Sequence, residues 1–109
     1  MQIFEHFDLK NFNTFGIAAY ARQFTEIRCQ DDYAELIGFY QETKLPLLPL
    51  GCGSNILFTK NYEGLVARIN SKGIRKIAED DNTATIDVAA GELWEDLIKY
   101  CIKEQLCGL

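Results

Sequence analysis

Two glycines, a hydroxyl and an amide lie within residues 51–55, between two short apolar runs, and make this segment the part of the chain best suited to chemistry. Glycine allows a positive φ and leaves main-chain N–H groups open to a ligand that a Cβ would keep away. Successive N–H groups in such a turn form a concave anion site, and the side chains of Ser54 and Asn55 can add donors. The pattern therefore predicts a loop that holds a phosphate or pyrophosphate, with a nucleotide as the natural ligand. Its candidate residues are Gly51, Cys52, Gly53, Ser54, Asn55 and Ile56.

Two familiar phosphate loops do not fit this segment. A P-loop ends in Gly-Lys-Ser/Thr, whereas Asn55 and Ile56 follow Ser54 here. The dinucleotide fingerprint needs a third glycine three residues after the second, and a helix after it. Position 56 is an isoleucine, and the apolar run 56–58 is predicted to be a strand. From spacing alone, a tight turn between two strands that binds nothing is equally possible.

The composition is that of an ordinary globular domain. Of the 109 residues, 48% are hydrophobic and 25% are charged. The net charge of −5 and the lack of a basic run argue against a nucleic-acid-binding surface. No stretch approaches the roughly 20 apolar residues that span a bilayer, and the first residues do not form a signal peptide. We therefore expect one cytoplasmic domain without a membrane partner.

The four cysteines show no Cys-x-x-Cys pair, and the single histidine, His6, lies far from them in sequence. We therefore predict no metal site. In a cytosolic chain the cysteines are expected to be reduced thiols, with Cys29 and Cys101 buried as small hydrophobes and Cys52 in the loop.

The carboxylates within 92–96 complement a helix N-terminus and need no catalytic role.

Two segments show the periodicity of amphipathic helices. In residues 32–44, Asp32 and Glu35 form a capping-box-like start, and the apolar stripe is expected in the core. In residues 92–106 one face is apolar, and Gly108 follows the last turn as a C-cap. The two stripes are Tyr33, Leu36, Ile37 and Tyr40 in the first helix, and Trp94, Leu97, Ile98, Cys101 and Ile102 in the second.

Short strands are predicted around these helices. The first twelve residues are too unevenly patterned for an amphipathic helix and are expected to be irregular, and residues 13–16 are expected to form a turn. The order of elements favours an α+β fold, a small mixed sheet with two packed helices. The predicted strands are 21–28, 47–50, 56–58, 65–69, 74–78 and 83–89, with turns at 61–64 and 79–82.

Three motifs give the chain a resemblance to a known family: NTFGI at 13–17, LGCGSNILF at 50–58 and AGELW at 90–94. They resemble the UDP-N-acetylenolpyruvoylglucosamine reductases, bacterial cell-wall flavoenzymes, and the likeness covers essentially the whole chain. The resemblance implies a vanillyl-alcohol-oxidase-type FAD-binding fold, in which backbone amides of loop 51–55 hold the FAD pyrophosphate. It also implies that Asn13 and Thr14 lie near the flavin, although these residues could equally only fix a turn before a strand.

The resemblance further implies a complete enzyme that uses NADPH to reduce UDP-N-acetylglucosamine enolpyruvate to UDP-N-acetylmuramate in peptidoglycan synthesis. Members of the family continue into a second FAD segment and a substrate domain, whereas this sequence stops at Leu109. Their catalytic serine, arginine and glutamate would lie beyond that point, so no catalytic residue is assigned here. Residues 1–109 are therefore expected to be the N-terminal part of an FAD-binding domain, inactive alone. A hydrophobic surface is expected where the missing C-terminal part packs, and it could drive self-association.

Two other functions stay open from the sequence. One is an FAD-dependent oxidase of the same superfamily that acts on another substrate than the nucleotide sugar. The other is a non-catalytic binding or interaction module whose glycine loop is only structural. A measurement of FAD binding distinguishes the non-catalytic module, which would bind no nucleotide, from the flavoenzymes.

Overall fold

A computed structural model describes all 109 residues of the chain. They divide into two compact units, Met1–Asn70 and Ser71–Leu109. The predicted α+β class is confirmed, while the assignment of residues 1–109 to one domain stays a prediction. Neither helix has both the length and the apolar character needed to cross a membrane. The elements are β1 (Phe4–Asp8), a 3-10 helix (Lys10–Phe12), β2 (Tyr20–Ile27), α1 (Gln30–Thr43), β3 (Leu47–Leu50), β4 (Tyr62–Ile69), β5 (Ile74–Glu79), β6 (Ala84–Val88) and α2 (Trp94–Lys103).

The first unit is built on a mixed four-stranded sheet in the order β1-β2-β4-β3. β1 runs antiparallel to β2, whereas β2, β4 and β3 are parallel to one another. β1 corrects the prediction of an irregular N-terminal segment, because pairing with β2 gives these residues a strand conformation that their uneven apolar spacing does not signal. The parallel register brings the carboxyl ends of three strands to one edge, where Arg68 lies opposite both Leu50 and Glu26.

Two hydrophobic clusters cover the opposite faces of this sheet. Successive strand residues point to opposite faces, so Val66 belongs to one cluster, while Leu65 and Ala67 belong to the other. On the second face α1 packs through buried Leu36. The first face is closed by connecting segments, which contribute Leu9, Ala19 and Phe58.

The connection between β3 and β4 corrects one strand prediction and one turn prediction. Because neighbouring parallel strands start at the same edge, residues 51–61 must carry the chain back along the sheet before β4 can begin. Residues 56–58 therefore form a connector without strand structure, in which only Phe58 is buried. The predicted turn at 61–64 is wrong as well, since β4 already begins at Tyr62. Gly64 lies within β4, and this position requires glycine because a Cβ there would overlap the Pro46 carbonyl oxygen.

The start of α1 differs from the predicted capping box. Oδ2 of Asp32 accepts hydrogen bonds from the N–H groups of Arg28 (2.8 Å) and Cys29 (3.2 Å). Asp32 is therefore the third helical residue of a box that begins at Cys29, and the Asp32–Glu35 box is wrong. Glu35 instead accepts a hydrogen bond from the N-terminal amine of Met1 at 2.9 Å.

The apolar stripe of α1 is only partly in the core. Leu36 is buried, and the half-buried Tyr33 and the neighbouring Phe39 pack against the same cluster. Ile37 and Tyr40, which were predicted to be buried with them, are exposed. The sheet thus contacts one row of side chains along the helix, and the residues beside that row face solvent.

The second unit contains the β5–β6 hairpin and α2. The hairpin is confirmed, with Asp80 in its turn accepting hydrogen bonds from the N–H groups of Asn82 and Thr83. In α2, Leu97 and Cys101 are buried as predicted, whereas the stripe residues Trp94, Ile98 and Ile102 are exposed.

α2 ends in a Schellman motif rather than at Gly108. The N–H of Leu106 donates to the Cys101 carbonyl (2.8 Å), and the N–H of Gln105 donates to the Ile102 carbonyl (3.2 Å). Gln105 takes the left-handed conformation that this motif needs, with φ at 57°. The predicted C-cap at Gly108 is therefore wrong.

Candidate functional site

The glycine loop lies at the carboxyl edge of the three parallel strands. β3 ends at Leu50, and residues 51–55 follow directly as turns and bends. Ligands of open sheets with parallel strands bind outside the carboxyl ends of those strands. The loop therefore lies at the edge of the sheet where a ligand can bind, and the assignment of residues 51–56 to a ligand site stays a prediction.

The two glycines of the loop have different roles. Gly53 has φ at +74°, and a Cβ there would overlap the Phe12 carbonyl oxygen and lie 2.9 Å from the Asn13 Cα. Gly51 has neither a left-handed φ nor any atom within 4 Å of an added Cβ. Gly53 is thus required by packing, whereas the space beside Gly51 is open to a ligand.

The Asn13–Gly16 turn is formed as predicted and contacts the glycine loop. The N–H of Gly16 donates to the Asn13 carbonyl at 3.1 Å, and Gly16 has φ at +66°. The N–H of Thr14 donates to the Gly53 carbonyl at 3.1 Å, with Oγ1 of Thr14 3.5 Å from the same oxygen. The structure therefore brings together two motifs that lie about forty positions apart in sequence.

Asn13 itself is buried and bonded on both ends of its amide. Nδ2 donates to the carbonyls of Leu9 (2.8 Å) and Ile17 (3.1 Å). Oδ1 accepts from the Ile17 N–H at 3.1 Å. These bonds hold the segment before β2 closed beside the glycine loop.

Donors of the glycine loop converge on the Cys52 sulfur. Cys52 Sγ and Ser54 Oγ lie 3.2 Å apart. The hydrogen bond from the Ser54 hydroxyl, and then that from the Ser54 N–H, lower the pKa of the Cys52 thiol below its ordinary value, with a smaller contribution from the Arg68 charge. The loop thus favours a negative charge at this point, which is the property that a phosphate site requires.

The remaining loop residues differ in exposure. The side chain of Asn55 is exposed, so its amide is accessible from solvent. Ile56 is half-buried and packs against the core cluster of the first face. Of the four free cysteines, Cys52 is exposed and Cys101 is buried, and Cys29 is exposed at the start of α1, contrary to its prediction as a buried residue.

A charged cluster at the same edge was not identified from the sequence. Glu26 accepts hydrogen bonds from Arg68 (2.8 Å), Asn70 (2.8 Å) and Arg28 (2.7 Å). Partial burial raises the pKa of Glu26, but the hydrogen bonds from Arg28 and Asn70 outweigh it and hold the pKa below its ordinary value. The Arg68 guanidinium also lies over the Phe12 ring, 5.2 Å from its centroid. The feature by which this cluster could be recognised is the position of its residues at the ends of β2 and β4.

Comparisons with known proteins agree with this geometry. A model of the FAD binding domain family matches residues 21–108, which include the glycine loop but not Asn13 or Thr14. UDP-N-acetylenolpyruvoylglucosamine reductase of Amoebophilus asiaticus is 38% identical over 109 residues, all of this chain and 32% of that protein. The enzymes of that name from Pseudomonas syringae pv. syringae and Neisseria gonorrhoeae are 37% and 38% identical over 100% and 94% of the chain, and 32% and 30% of their own lengths. The chain thus spans about a third of the length of these curated relatives.

Proposed function

The chain belongs to the FAD-binding domain family, and from that premise we propose that residues 51–56 hold the FAD pyrophosphate, with Asn13 and Thr14 part of the same site. The observation that carries the proposal is the position of the loop, which follows β3 directly at the carboxyl edge of the parallel strands, with Ser54 Oγ 3.2 Å from Cys52 Sγ. The open space beside Gly51 supports it further, because a ligand can approach the main chain there.

The residues present fit an anionic group of this kind. Charge-assisted hydrogen bonds from backbone N–H and hydroxyl groups are stronger than neutral ones, so the loop can hold a phosphate without a lysine. When bound, FAD supplies hydride-transfer chemistry. The part of this chain is to bind and orient the cofactor through the loop, at an edge that also carries Glu26 with its three donors.

We extend the proposal to the longer protein that the relatives represent. By their names these relatives are reductases of UDP-N-acetylenolpyruvoylglucosamine. We propose that this chain forms the cofactor-holding part of such an enzyme, which uses NADPH as hydride donor and a nucleotide sugar as substrate. The exposed apolar residues of α2, Trp94, Ile98 and Ile102, support a further partner, the remainder of the same enzyme packed against this helix.

Titration of FAD into the chain, followed by flavin fluorescence, tests the cofactor site. We expect saturable binding, and roughly tenfold weaker binding for Ser54→Ala, because the variant loses one hydrogen bond to a charged group. Gly51→Ala should also weaken binding while leaving the fold intact, since its methyl group enters open space. Gly38→Ala is the matched control, a glycine on α1 that also has no atom within 4 Å of an added Cβ.

The titration separates the proposal from the structural alternative. If the wild-type chain shows no saturable binding of FAD, the glycine loop only shapes a turn and the proposal is wrong. If Ser54→Ala and Gly51→Ala both bind like Gly38→Ala, the cofactor is held elsewhere. Urea midpoints of Ser54→Ala and Gly51→Ala equal to that of the wild type, with a higher midpoint for Gly38→Ala because alanine replaces glycine inside a helix, establish that differences in binding do not arise from loss of folding.

A further inference from the structure

The side-chain amide of Asn13 has no donor left for a ligand. A carboxamide carries two N–H donors, and both are used, on the carbonyls of Leu9 and Ile17. Its oxygen accepts from the Ile17 N–H, and only 7% of the residue is exposed. A hydrogen bond donated by this amide to a phosphate would require breaking one of its present bonds in a buried environment, which is unfavourable.

The segment that Asn13 closes is fixed to the core of the first unit. Leu9 is fully buried, and its N–H donates to the Ala19 carbonyl at 2.8 Å. The Phe12 N–H donates back to the Leu9 carbonyl at 2.9 Å. The segment therefore presents the Phe12–Asn13 peptide and the Thr14 N–H in fixed positions.

Gly53 lies against this fixed surface. There is no room for a Cβ between it and the Phe12 carbonyl, and its own carbonyl accepts the Thr14 N–H. In a trans peptide the C=O and the following N–H point in opposite directions, and the chain has no cis peptide. With the Gly53 carbonyl turned to Thr14, the Ser54 N–H must point away from it, and this N–H is one of the groups that lower the pKa of the Cys52 thiol.

We infer that Asn13 and Thr14 are positioning residues, which fix the Gly53 carbonyl so that the Ser54 N–H points into the anion site, and that the Asn13 amide does not itself bind the cofactor phosphates. The inference rests on the proposed function of the loop and specifies how that loop is held. It also explains why the motifs at 13–17 and 50–58, which are distant in sequence, are in contact in the structure.

The test uses the Cys52 thiol as a reporter of the loop in the absence of cofactor. Asn13→Ala is compared with Asn61→Ala, a matched control that removes another side-chain bond to the backbone, the one Oδ1 of Asn61 accepts from the Tyr20 N–H at 3.0 Å. Alkylation of Cys52 by iodoacetamide is followed by mass spectrometry across pH, and FAD is titrated separately. Arg68, the charged residue that acts on this thiol, is the same in both variants.

We expect the pH midpoint of Cys52 alkylation to rise in Asn13→Ala and to stay unchanged in Asn61→Ala. FAD should bind Asn13→Ala roughly tenfold more weakly, since the Ser54 N–H is no longer aimed at the anion. Thr14→Pro is the second variant. It should also raise the pH midpoint of Cys52 alkylation and weaken FAD binding, because it removes the N–H that donates to the Gly53 carbonyl. Asn13 already has the extended φ of −141° and ψ of 144° that a residue before proline requires.

Three results would overturn the inference. One is a folded Asn13→Ala or Thr14→Pro protein with wild-type alkylation and wild-type affinity. The second is weaker FAD binding by Asn13→Ala with unchanged alkylation, which would mean that Asn13 contacts the cofactor itself. The third is an equal shift in Asn61→Ala. A shift of alkylation in a chain that binds no FAD would support the positioning role and contradict the cofactor assignment, so the two proposals fail separately.

Discussion

At the scale of single residues, Gly51 and Gly53 show that the same residue type serves two purposes in one loop. Gly53 is held against the Phe12–Asn13 peptide with a positive φ, whereas Gly51 adjoins open space. The first purpose concerns the fold, and the second concerns access to the backbone. Substitution by alanine separates them, because one added methyl group tests each purpose in turn.

Gly53→Ala should destabilise the chain by more than about 2 kcal/mol. The left-handed conformation alone costs an L-residue about 1–2 kcal/mol, and the overlap with the Phe12 carbonyl adds to it. Gly51→Ala is the control and should change the free energy of unfolding by less than about 0.5 kcal/mol. Urea denaturation measures both, and equal midpoints for the two variants would contradict the assigned roles.

Cys52 should react as a thiolate at a lower pH than an ordinary cysteine. The hydrogen bonds from Ser54 lower its pKa in the folded chain, and the thiolate is the reactive form. The pKa of the Cys52 thiol is lower in the folded than in the unfolded chain, so ionisation of Cys52 adds to the free energy of unfolding at a pH above the unfolded pKa. This contribution is lost as the pH falls through the folded pKa. The rate of alkylation against pH, measured on the native and the guanidinium-unfolded chain, gives the two midpoints.

Ser54→Ala provides the internal comparison for this prediction. It removes the hydroxyl, which is the largest cause of the shift, and leaves the N–H donor in place. The midpoint of Cys52 alkylation should therefore move toward the unfolded value without reaching it. A midpoint identical in the native and unfolded wild-type chains would show that the loop does not stabilise charge.

Residue types and spacing were sufficient to predict the glycine loop, but not the charged cluster beside it. Glycine, serine and asparagine have local conformational and hydrogen-bonding preferences that are visible in sequence. The partners of Arg68 are not, since Glu26 lies 42 positions away and meets it only through the parallel register of β2 and β4. Which residue contacts Gly53 likewise depends on tertiary packing.

At the scale of elements, the two helices end in similar ways, with a non-glycine residue in the left-handed conformation. Gln105 follows α2 with φ at 57°, and Lys44 follows α1 with φ at 55°. Both positions are ones where glycine is ordinarily preferred. The backbone hydrogen bonds of each cap compensate for this conformation.

Gln105→Gly should stabilise the chain by about 1 kcal/mol, because it relieves the left-handed strain of an L-residue. Lys44→Gly should act in the same direction for the same reason. Lys99→Gly is the opposite control, since glycine inside a helix costs about 1 kcal/mol. Thermal and urea unfolding measure all three, and destabilisation by Gln105→Gly would show that its side chain makes a necessary contact.

The helices and the hairpin could be predicted from local pattern, whereas β1 and the connector at 56–58 could not. Periodicity over ten or more residues and a turn rich in Asp and Asn are properties of the segment itself. β1 and the connector 56–58 were assigned wrongly because pairing decides them: β1 has a partner in β2, and the connector has none. The exposure of Ile37 likewise reflects how much of α1 the sheet can cover.

At the scale of the whole molecule, the chain accounts for about a third of the length of its relatives. We expect the isolated chain to lack NADPH-dependent reductase activity, because it corresponds to only about a third of the length of the reductases that it matches. NADPH oxidation that depends on UDP-N-acetylglucosamine enolpyruvate, measured with the pure chain and added FAD, tests this expectation. Turnover above a protein-free control would contradict it.

The exposed stripe of α2 should drive self-association of the isolated chain. Trp94 and Ile102 are 64% and 71% exposed on the helix that also carries exposed Ile98, and such patches favour association. The sedimentation coefficient should rise with concentration for the wild type and less so for Trp94→Lys. A monodisperse monomer at high concentration would contradict the prediction.

The length of the β3–β4 connector has a consequence for how this protein can diverge. Residues 51–61 both carry the glycine loop and return the chain along the sheet, a path for which parallel strands ordinarily need about a dozen residues. A deletion would make this path too short, so that the start of β4 would have to move, and a slip of one position would turn its side chains to the opposite face. The proposed ligand site can therefore change by exchange of side chains at 51, 52, 54 and 55, but not by shortening of the loop, so that the proposed site and the alignment of β4 are inherited together.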